Sequence, residues 1–435
     1  MNHELLYPDL AVNDAGRLTI AGFDTAALAQ EFGTPLMLLN EEKIRARCRV
    51  YAQTLQTHFP PGSMALYASK ALSFKHIYEI AAQEGLGVDV VSPGELYTAY
   101  RAGFPMERVY FHGNNKSDED IAFAISHRVG CIVCDNLDEL SAIDVQAGTA
   151  GITQDILLRL TPGIDPHTHA KISTGQIDSK FGAAIETGQA EALLCKALSL
   201  KNVKVCGVHC HIGSQIFDFT PFCDALTLML RFLSAMKEKH GYEAERLNLG
   251  GGMGVPYVAG DPSIDYAANL LTIAKQLDEQ CRAHALTPPA LLLEPGRSLV
   301  ADAGVTLYTV GGVKKIPGFK NYVSVDGGMS DNPRYTLYQS EYTVYLASRM
   351  NDVANFRCTV AGRCCESGDL LQEDVLLPEP RRGDLLAVLT TGAYNYSMAS
   401  NYNRIPRPAV VMLTGEGAKT AVRRESLDDL ILNDL

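Results

Sequence analysis

A chain of 435 residues, 46% apolar and 20% charged, has room for two or three domains with a large core, which excludes a disordered tail, a collagen or a small disulfide-stapled scaffold. Lys and Arg number 38 against 50 Asp and Glu, a net charge of −12 with no basic block, so nucleic acid is excluded as a partner. The eleven cysteines are scattered and several sit in apolar runs such as Gly130-Cys131-Ile132-Val133-Cys134, which suits reduced thiols and a cytoplasmic protein. The N-terminus lacks a basic region followed by an apolar stretch, and no window of about 18 apolar residues occurs, so the chain is expected to be neither secreted nor membrane-spanning.

The first 33 residues hold a strand-like piece, Arg17-Leu18-Thr19-Ile20, and a short helix ending near Gly33. From about residue 60 to Arg297 short apolar runs recur at 64–68, 87–91, 108–112, 131–134, 156–160, 205–209, 247–249 and 291–294. Helical stretches separate them; one is started by Ser92-Pro93 and stopped by Gly103. Strands alternating with helices pair in parallel, and eight of them predict an α/β fold, a closed (β/α)8 TIM-type barrel, rather than an open sheet. Beyond Arg297 the runs 305–310, 322–326, 385–389 and 409–413 come without long helices between them, the pattern of a mostly antiparallel β domain. The expected division is therefore a barrel at 34–300 and a β domain built from 1–33 and 301–435, closed by a short acidic helix at 426–435 that docks as a terminus.

In a barrel the chemistry belongs at the C-terminal ends of the strands. There the sequence places Lys70, Ser92 with Glu95, His112 with Asn114, Arg159, His211 with Ser214, Gly250 to Gly252, and Glu294 with Arg297. Lys70 follows a buried strand; a desolvated lysine loses its charge more readily and can form a Schiff base, although local sequence alone favours an ordinary loop lysine. The glycines 250–252 allow close approach of a phosphate or simply a tight turn, and their spacing is not that of a dinucleotide loop. Phosphate sites in such barrels favour the loops after strands seven and eight, which here are the glycine run and Glu294-Pro295-Gly296-Arg297. His209, Cys210 and His211 lack a second spaced ligand set, so no metal is expected; His211 suits a stacking or hydrogen-bonding imidazole and His209 a buried core histidine. In the β domain Cys364-Cys365-Glu366 offers a thiol beside a carboxylate, a proton donor or merely a turn.

Taken together, Tyr67-Ala68-Ser69-Lys70-Ala71, His211-Ile212-Gly213-Ser214-Gln215, Gly250-Gly251-Gly252, Glu294-Pro295-Gly296-Arg297, Asp326-Gly327-Gly328-Met329-Ser330-Asp331-Asn332, Cys365-Glu366-Ser367-Gly368-Asp369 and Gly392-Ala393-Tyr394 with Ser400-Asn401-Tyr402-Asn403 span nearly the whole chain. They resemble the fold-type III pyridoxal phosphate-dependent decarboxylases, and within them the branch that acts on diaminopimelate. The resemblance implies pyridoxal 5'-phosphate as cofactor, carried on Lys70, and four catalytic residues, Lys70, His211, Glu294 and Cys365. Glu294 would pair with the pyridine nitrogen, His211 would stack on the ring, and Cys365 would return a proton to Cα. Asp89, Ser214, Gly250, Gly251, Gly252, Gly296, Arg297 and Tyr394 would complete the cofactor site, and Arg297, Arg334, Tyr338, Glu366 and Tyr394 would hold the substrate.

The implied reaction is a carboxy-lyase step of lysine biosynthesis, meso-2,6-diaminopimelate to L-lysine and carbon dioxide. The implied assembly is a homodimer in which the β domain of one subunit completes the barrel site of its partner, with a small amino acid as ligand and neither nucleic acid nor membrane as partner. Two departures touch the substrate end: Gly362-Arg363-Cys364-Cys365 where the family often has Gly-Pro before its Cys-Glu pair, and Arg334-Tyr335-Thr336-Leu337-Tyr338 where it has Arg-Pro-Ala-Leu-Tyr. They leave open a related carboxy-amino acid, such as a siderophore precursor; a decarboxylase of ornithine, lysine or arginine is the other alternative, from which Glu366 with Arg334 would set the chain apart.

Overall fold

Eight parallel strands close into a ring: β1 (Met64–Ala68), β2 (Gly87–Val90), β3 (Val109–Phe111), β4 (Cys131–Cys134), β5 (Gln154–Thr161), β6 (Val203–His209), β7 (Arg246–Asn248) and β8 (Ala290–Leu293). Each pairs with the next, and β8 returns to β1 through Leu292 opposite Met64. The computed structural model describes residues 4–164 and 180–435. The eight runs read from the sequence coincide with these eight strands, because strands largely covered on both faces are mostly apolar. Leu66, Tyr110, Cys131, Val133, Leu157, Cys206 and Leu292 pack together within the barrel.

The crossover helices start where polar side chains satisfy their free N–H groups. Ser92 caps Pro93–Arg101, Ser117 forms a capping box on Asp118–Ser126, Asn136 caps Leu137–Thr149 and Asp265 caps Tyr266–Ala283. Gly207 sits at a register shift on β6, where an added Cβ would lie 1.8 Å from the Arg246 carbonyl oxygen, so only glycine lets β6 approach β7.

The barrel belongs to a compact unit of Arg45–Gly254 and Ser263–Ser298; a second unit takes the residues up to Ile44, Val255–Pro262 and Leu299–Leu435. In the second unit the long strand Gly304–Lys315 pairs antiparallel with Asn321–Val325, Leu385–Leu389 and Leu36–Asn40. Ala409–Thr414 runs parallel to Leu36–Asn40 and antiparallel to Gly417–Val422, while Phe356–Ala361 runs parallel to Asn321–Val325 and antiparallel to Leu370–Leu377. Leu36–Asn40 lies inside the stretch expected to belong to the barrel, yet its ladder partners are Gly304–Leu307 and Ala409–Leu413.

The N-terminal segment joins the same core through Leu10, Leu18, Ile20 and Leu28, packed with Leu36, Leu38, Val305 and Leu389; its residues 1–3 lie outside the described ones. The terminal helix is only Leu427–Leu430, capped by Ser426. It is held by polar contacts, Arg423 to Asp429 and Arg404 to the Leu430 carbonyl, while Leu427 and Leu432 stay exposed. Among the described residues no helix is long and apolar enough to cross a membrane.

Candidate active site

β1 ends at Ala68, whose N–H donates to the Pro295 carbonyl at 3.1 Å, and the chain then enters a single 3-10 turn, Ser69–Ala71, that carries Lys70. Ser69 Oγ donates to Glu95 Oε2 at 2.7 Å, and the Val91 N–H donates to the same oxygen at 2.8 Å. The Lys70 turn is thus tied to the loop after β2. Burial pushes the Glu95 carboxyl up, opposed by these hydrogen bonds and by the Lys70 charge. The same charge acts on Asp89 and on His211, which places the amine among the strand-end polar groups.

Glu294, at the end of β8, is 5% exposed and surrounded by nitrogen. Asn248 Nδ2 donates to its Oε1 at 2.7 Å; His209 Nε2 lies 3.2 Å from Oε1 and His112 Nε2 3.1 Å from it. His112 Nε2 is also 3.6 Å from Asp89 Oδ1, and burial pushes Asp89 up to about 6, with His112 opposing. Burial alone would raise Glu294 too, but the two imidazoles hold it well below the usual carboxylate range. The result is an ionised carboxylate sealed inside the barrel.

The loops after β6 and β7 interlock beside it. The Gly250 N–H donates to Asn248 Oδ1 at 2.8 Å and the Gly251 N–H to His211 Nδ1 at 3.2 Å. His211 therefore carries its hydrogen on Nε2, and burial, reinforced by the Lys70 charge, keeps the ring neutral. An added Cβ would meet the Cys210 carbonyl oxygen at Gly250, the Glu294 carbonyl oxygen at Gly251 and the Gly213 carbonyl oxygen at Gly252, all within 2.6 Å. The run is glycine because three loops touch there, and the N–H groups of Gly250 and Gly251 are spent within the protein. Next to them Arg297 Nη2 donates to Ser214 Oγ at 3.1 Å, and an added Cβ at Gly296 would sit 3.0 Å from Ala68 Cβ.

Five of the candidate residues, Arg334, Tyr338, Cys365, Glu366 and Tyr394, lie in the β unit. Its loops are pinned to each other: the Arg363 N–H donates to the Gly327 carbonyl, the Met329 and Cys364 N–H groups donate to Asp369, and the Cys365 N–H donates to Asn403 Oδ1 at 2.6 Å. Arg334 is 7% exposed, its guanidinium 5.0 Å from the Tyr338 ring and 5.4 Å from the Tyr394 ring. Cys365 and Glu366 are exposed.

Comparison with known proteins gives the family. Residues 41–301 match the model of the pyridoxal-dependent decarboxylase family, pyridoxal binding domain. The diaminopimelate decarboxylase of Halalkalibacterium halodurans is 47% identical, covering 98% of this chain and 96% of its own, and that of Bacillus subtilis 45%, covering 97% and 96%. The crystal structure of the M. jannaschii diaminopimelate decarboxylase in co-complex with L-lysine superposes with a TM-score of 0.91 at 36% identity, covering 98% of both chains.

The chain belongs to the pyridoxal-dependent decarboxylase family.

The residues at the barrel mouth fit the cofactor of a pyridoxal-dependent decarboxylase. They offer an amine on a pinned turn, a sealed carboxylate, a neutral imidazole and an arginine–serine pair suited to a phosphate. Asp89 Oδ1 is fully buried and accepts no hydrogen bond among the described residues, so it has acceptor capacity for a polar ligand. His112, His209 and Glu294 also present donor atoms within 4.8 Å of one another, a spacing a divalent ion could use. In the sequence, position after a strand is the one signal for His112 and Glu95, and nothing local marks Asn248 or the buried His209 as partners of Glu294.

Proposed function

We propose that this chain decarboxylates meso-2,6-diaminopimelate to L-lysine and carbon dioxide with pyridoxal 5'-phosphate, working in the cytoplasm as a homodimer. Its eleven cysteines, all among the described residues, are unbonded, which supports a reducing compartment. Lys70 would hold the cofactor through its amine, Arg297 and Ser214 would take its phosphate, His211 would serve the ring and Glu294 would keep the ring nitrogen protonated. When bound, the cofactor supplies a ring that takes up the electron pair left as the Cα–carboxylate bond breaks and carbon dioxide departs. Cys365 returns a proton to Cα from its thiol, and water restores it. Arg334, Tyr338 and Glu366 hold the far carboxylate and amine, and Tyr394 joins the site from the same unit.

Buried Arg334 carries the choice of substrate. Its Nε finds no hydrogen-bond partner among the described residues, and a guanidinium at 7% exposure needs an anion to offset its desolvation. Diaminopimelate supplies a second carboxylate; ornithine and lysine end in an amine alone and leave that charge uncompensated. The test is carbon dioxide release from meso-diaminopimelate, lysine and ornithine offered in parallel to the purified enzyme. Release from diaminopimelate alone supports the reading, and equal release from lysine or ornithine overturns it.

The division of candidate residues between the two units supports a shared site, in which the β unit of one subunit serves the barrel of its partner.

A further inference from the structure

Three side chains at the barrel mouth converge on one carboxylate without any task in the chemistry above: His112 just after β3, His209 closing β6 and Asn248 closing β7. None is more than 4% exposed. The two imidazoles meet edge to face, 5.0 Å between centroids. We infer that His112 and His209 are positioning residues for Glu294: His209 turns an N–H toward its carboxylate and His112 sets a ring nitrogen beside it, an arrangement that leaves Oε2 available to the ring nitrogen of the cofactor. The inference rests on the reading that Glu294 serves that nitrogen.

Geometry fixes where the hydrogens lie. His209 Nδ1 is buried and has no partner among the described residues, so a hydrogen there would be a stranded donor; with the hydrogen on Nε2 the ring donates to Glu294, 3.2 Å from Oε1 and 3.3 Å from Oε2. Burial pushes His209 down to about 4, so it acts as a neutral donor. His112 Nε2 stands between Glu294 Oε1 at 3.1 Å and Asp89 Oδ1 at 3.6 Å. A lone pair aimed at two carboxylates would be repelled by both, so this nitrogen carries hydrogen as well. It is not aligned for a directed hydrogen bond to either oxygen, and its pull on Glu294 is electrostatic.

The contacts are uneven. Asn248 donates to Oε1 at 2.7 Å, and His112 and His209 stand 3.1 and 3.2 Å from it; among the described residues the hydrogen bond to Oε2 comes from His209, at 3.3 Å. Oε2 keeps spare acceptor capacity. Among the described residues Asp89 on β2, Arg159 on β5, and Cys210 and His211 after β6 also act on Glu294.

The experiment reads the proton on the cofactor directly. Holoenzyme reconstituted with pyridoxal phosphate labelled with 15N in the ring is followed by NMR from about pH 6 to about 9, the range in which an ordinary imidazole loses its charge. The set is the parent, His112→Phe, His209→Leu, the donor-keeping His112→Gln and His209→Gln, and Glu294→Gln. The parent and the glutamine variants of the histidines should hold the nitrogen protonated throughout. His112→Phe and His209→Leu should lose that proton as pH rises, with kcat lower by roughly tenfold or more and KM little changed. A nitrogen protonated in every histidine variant but not in Glu294→Gln overturns this inference alone. A nitrogen still protonated in Glu294→Gln overturns the assignment of Glu294 beneath it. Should the Phe and Leu variants fail to fold, 15N-histidine spectra of the parent decide: His209 neutral with its hydrogen on Nε2 supports the inference, and hydrogen on Nδ1 overturns it. Stoichiometric zinc retained by the parent and lost in both histidine variants would make these residues ligands and also overturn it.

Discussion

Ser69 Oγ donates to Glu95 Oε2 at 2.7 Å, joining the turn that carries Lys70 to the helix that follows β2. Ser69 is fully buried, so Ser69→Ala removes a donor where little water can replace it. The expected cost is about 1–3 kcal/mol of unfolding free energy, together with weaker cofactor retention because the turn loses its tether. Denaturant unfolding of apo and holo protein measures the first, and dialysis against buffer without cofactor the second. An Ala variant matching the parent in both would remove Ser69 from the support of Lys70.

Borohydride converts a carbon–nitrogen double bond between enzyme and cofactor into a stable single bond, and peptide mapping should then find the label on Lys70. Lys70→Ala should lose the absorbance of that link and nearly all turnover. Label on Lys116 would be the informative contrary result. That amine is buried as well, yet it already gives hydrogen bonds to Glu139 Oε1 at 2.7 Å and to the carbonyls of Gly113 and Val133 at 2.8 Å.

How far the sequence could be read depended on whether the deciding neighbour was local. Most barrel strands show as near-continuous apolar runs, since both of their faces are largely covered, although Arg246–Asn248 carries a single apolar residue. Leu36–Asn40 reads in the same way, and its place in the other unit is set by pairing with Gly304–Leu307 and Ala409–Leu413, hundreds of residues downstream. Phe356–Ala361 and Leu370–Leu377 are hard to read because Arg357, Glu373 and Asp374 interrupt their apolar pattern.

The same rule governs the site. Lys70, His211 and Glu294 were visible as polar residues following apolar runs, whereas the contact of His209 with Glu294 crosses the barrel mouth from β6 to β8 and has no trace in either strand alone. The glycine run was legible as a close approach, but what approaches Gly250 and Gly251 is the backbone of the neighbouring loops.

Asp331 gives a pH test with a definite sign. Its Oδ2 accepts the Tyr308 hydroxyl at 2.5 Å and its Oδ1 the Gly328 N–H at 2.9 Å, yet burial dominates and pushes the carboxyl from 3.8 up to about 7. Between those two values the folded protein holds a proton that the unfolded chain has released, so this residue's contribution to stability falls as pH rises through the window and levels off above it. Asp331→Asn has no such dependence. Its stability relative to the parent should therefore improve between about pH 4 and about pH 7, which unfolding curves at both ends would show. A relative stability that falls over the same range would mean that Asp331 is ionised in the folded protein.

The proposed sharing of sites between subunits can be tested by complementation. Lys70 lies in the barrel unit and Cys365 in the β unit. If the two residues that serve one cofactor come from different chains, Lys70→Ala and Cys365→Ala homodimers should each be nearly inactive. A mixture allowed to exchange subunits should regain activity, because a mixed dimer has one site with both residues intact and one site lacking both. With equal amounts and random exchange, half of the dimers are mixed and half of their sites work, so about a quarter of parental activity should return. Tagging one variant and capturing its partner shows that exchange has taken place. No recovery despite exchange would mean that Cys365 serves the barrel of its own chain, or that another group returns the proton to Cα.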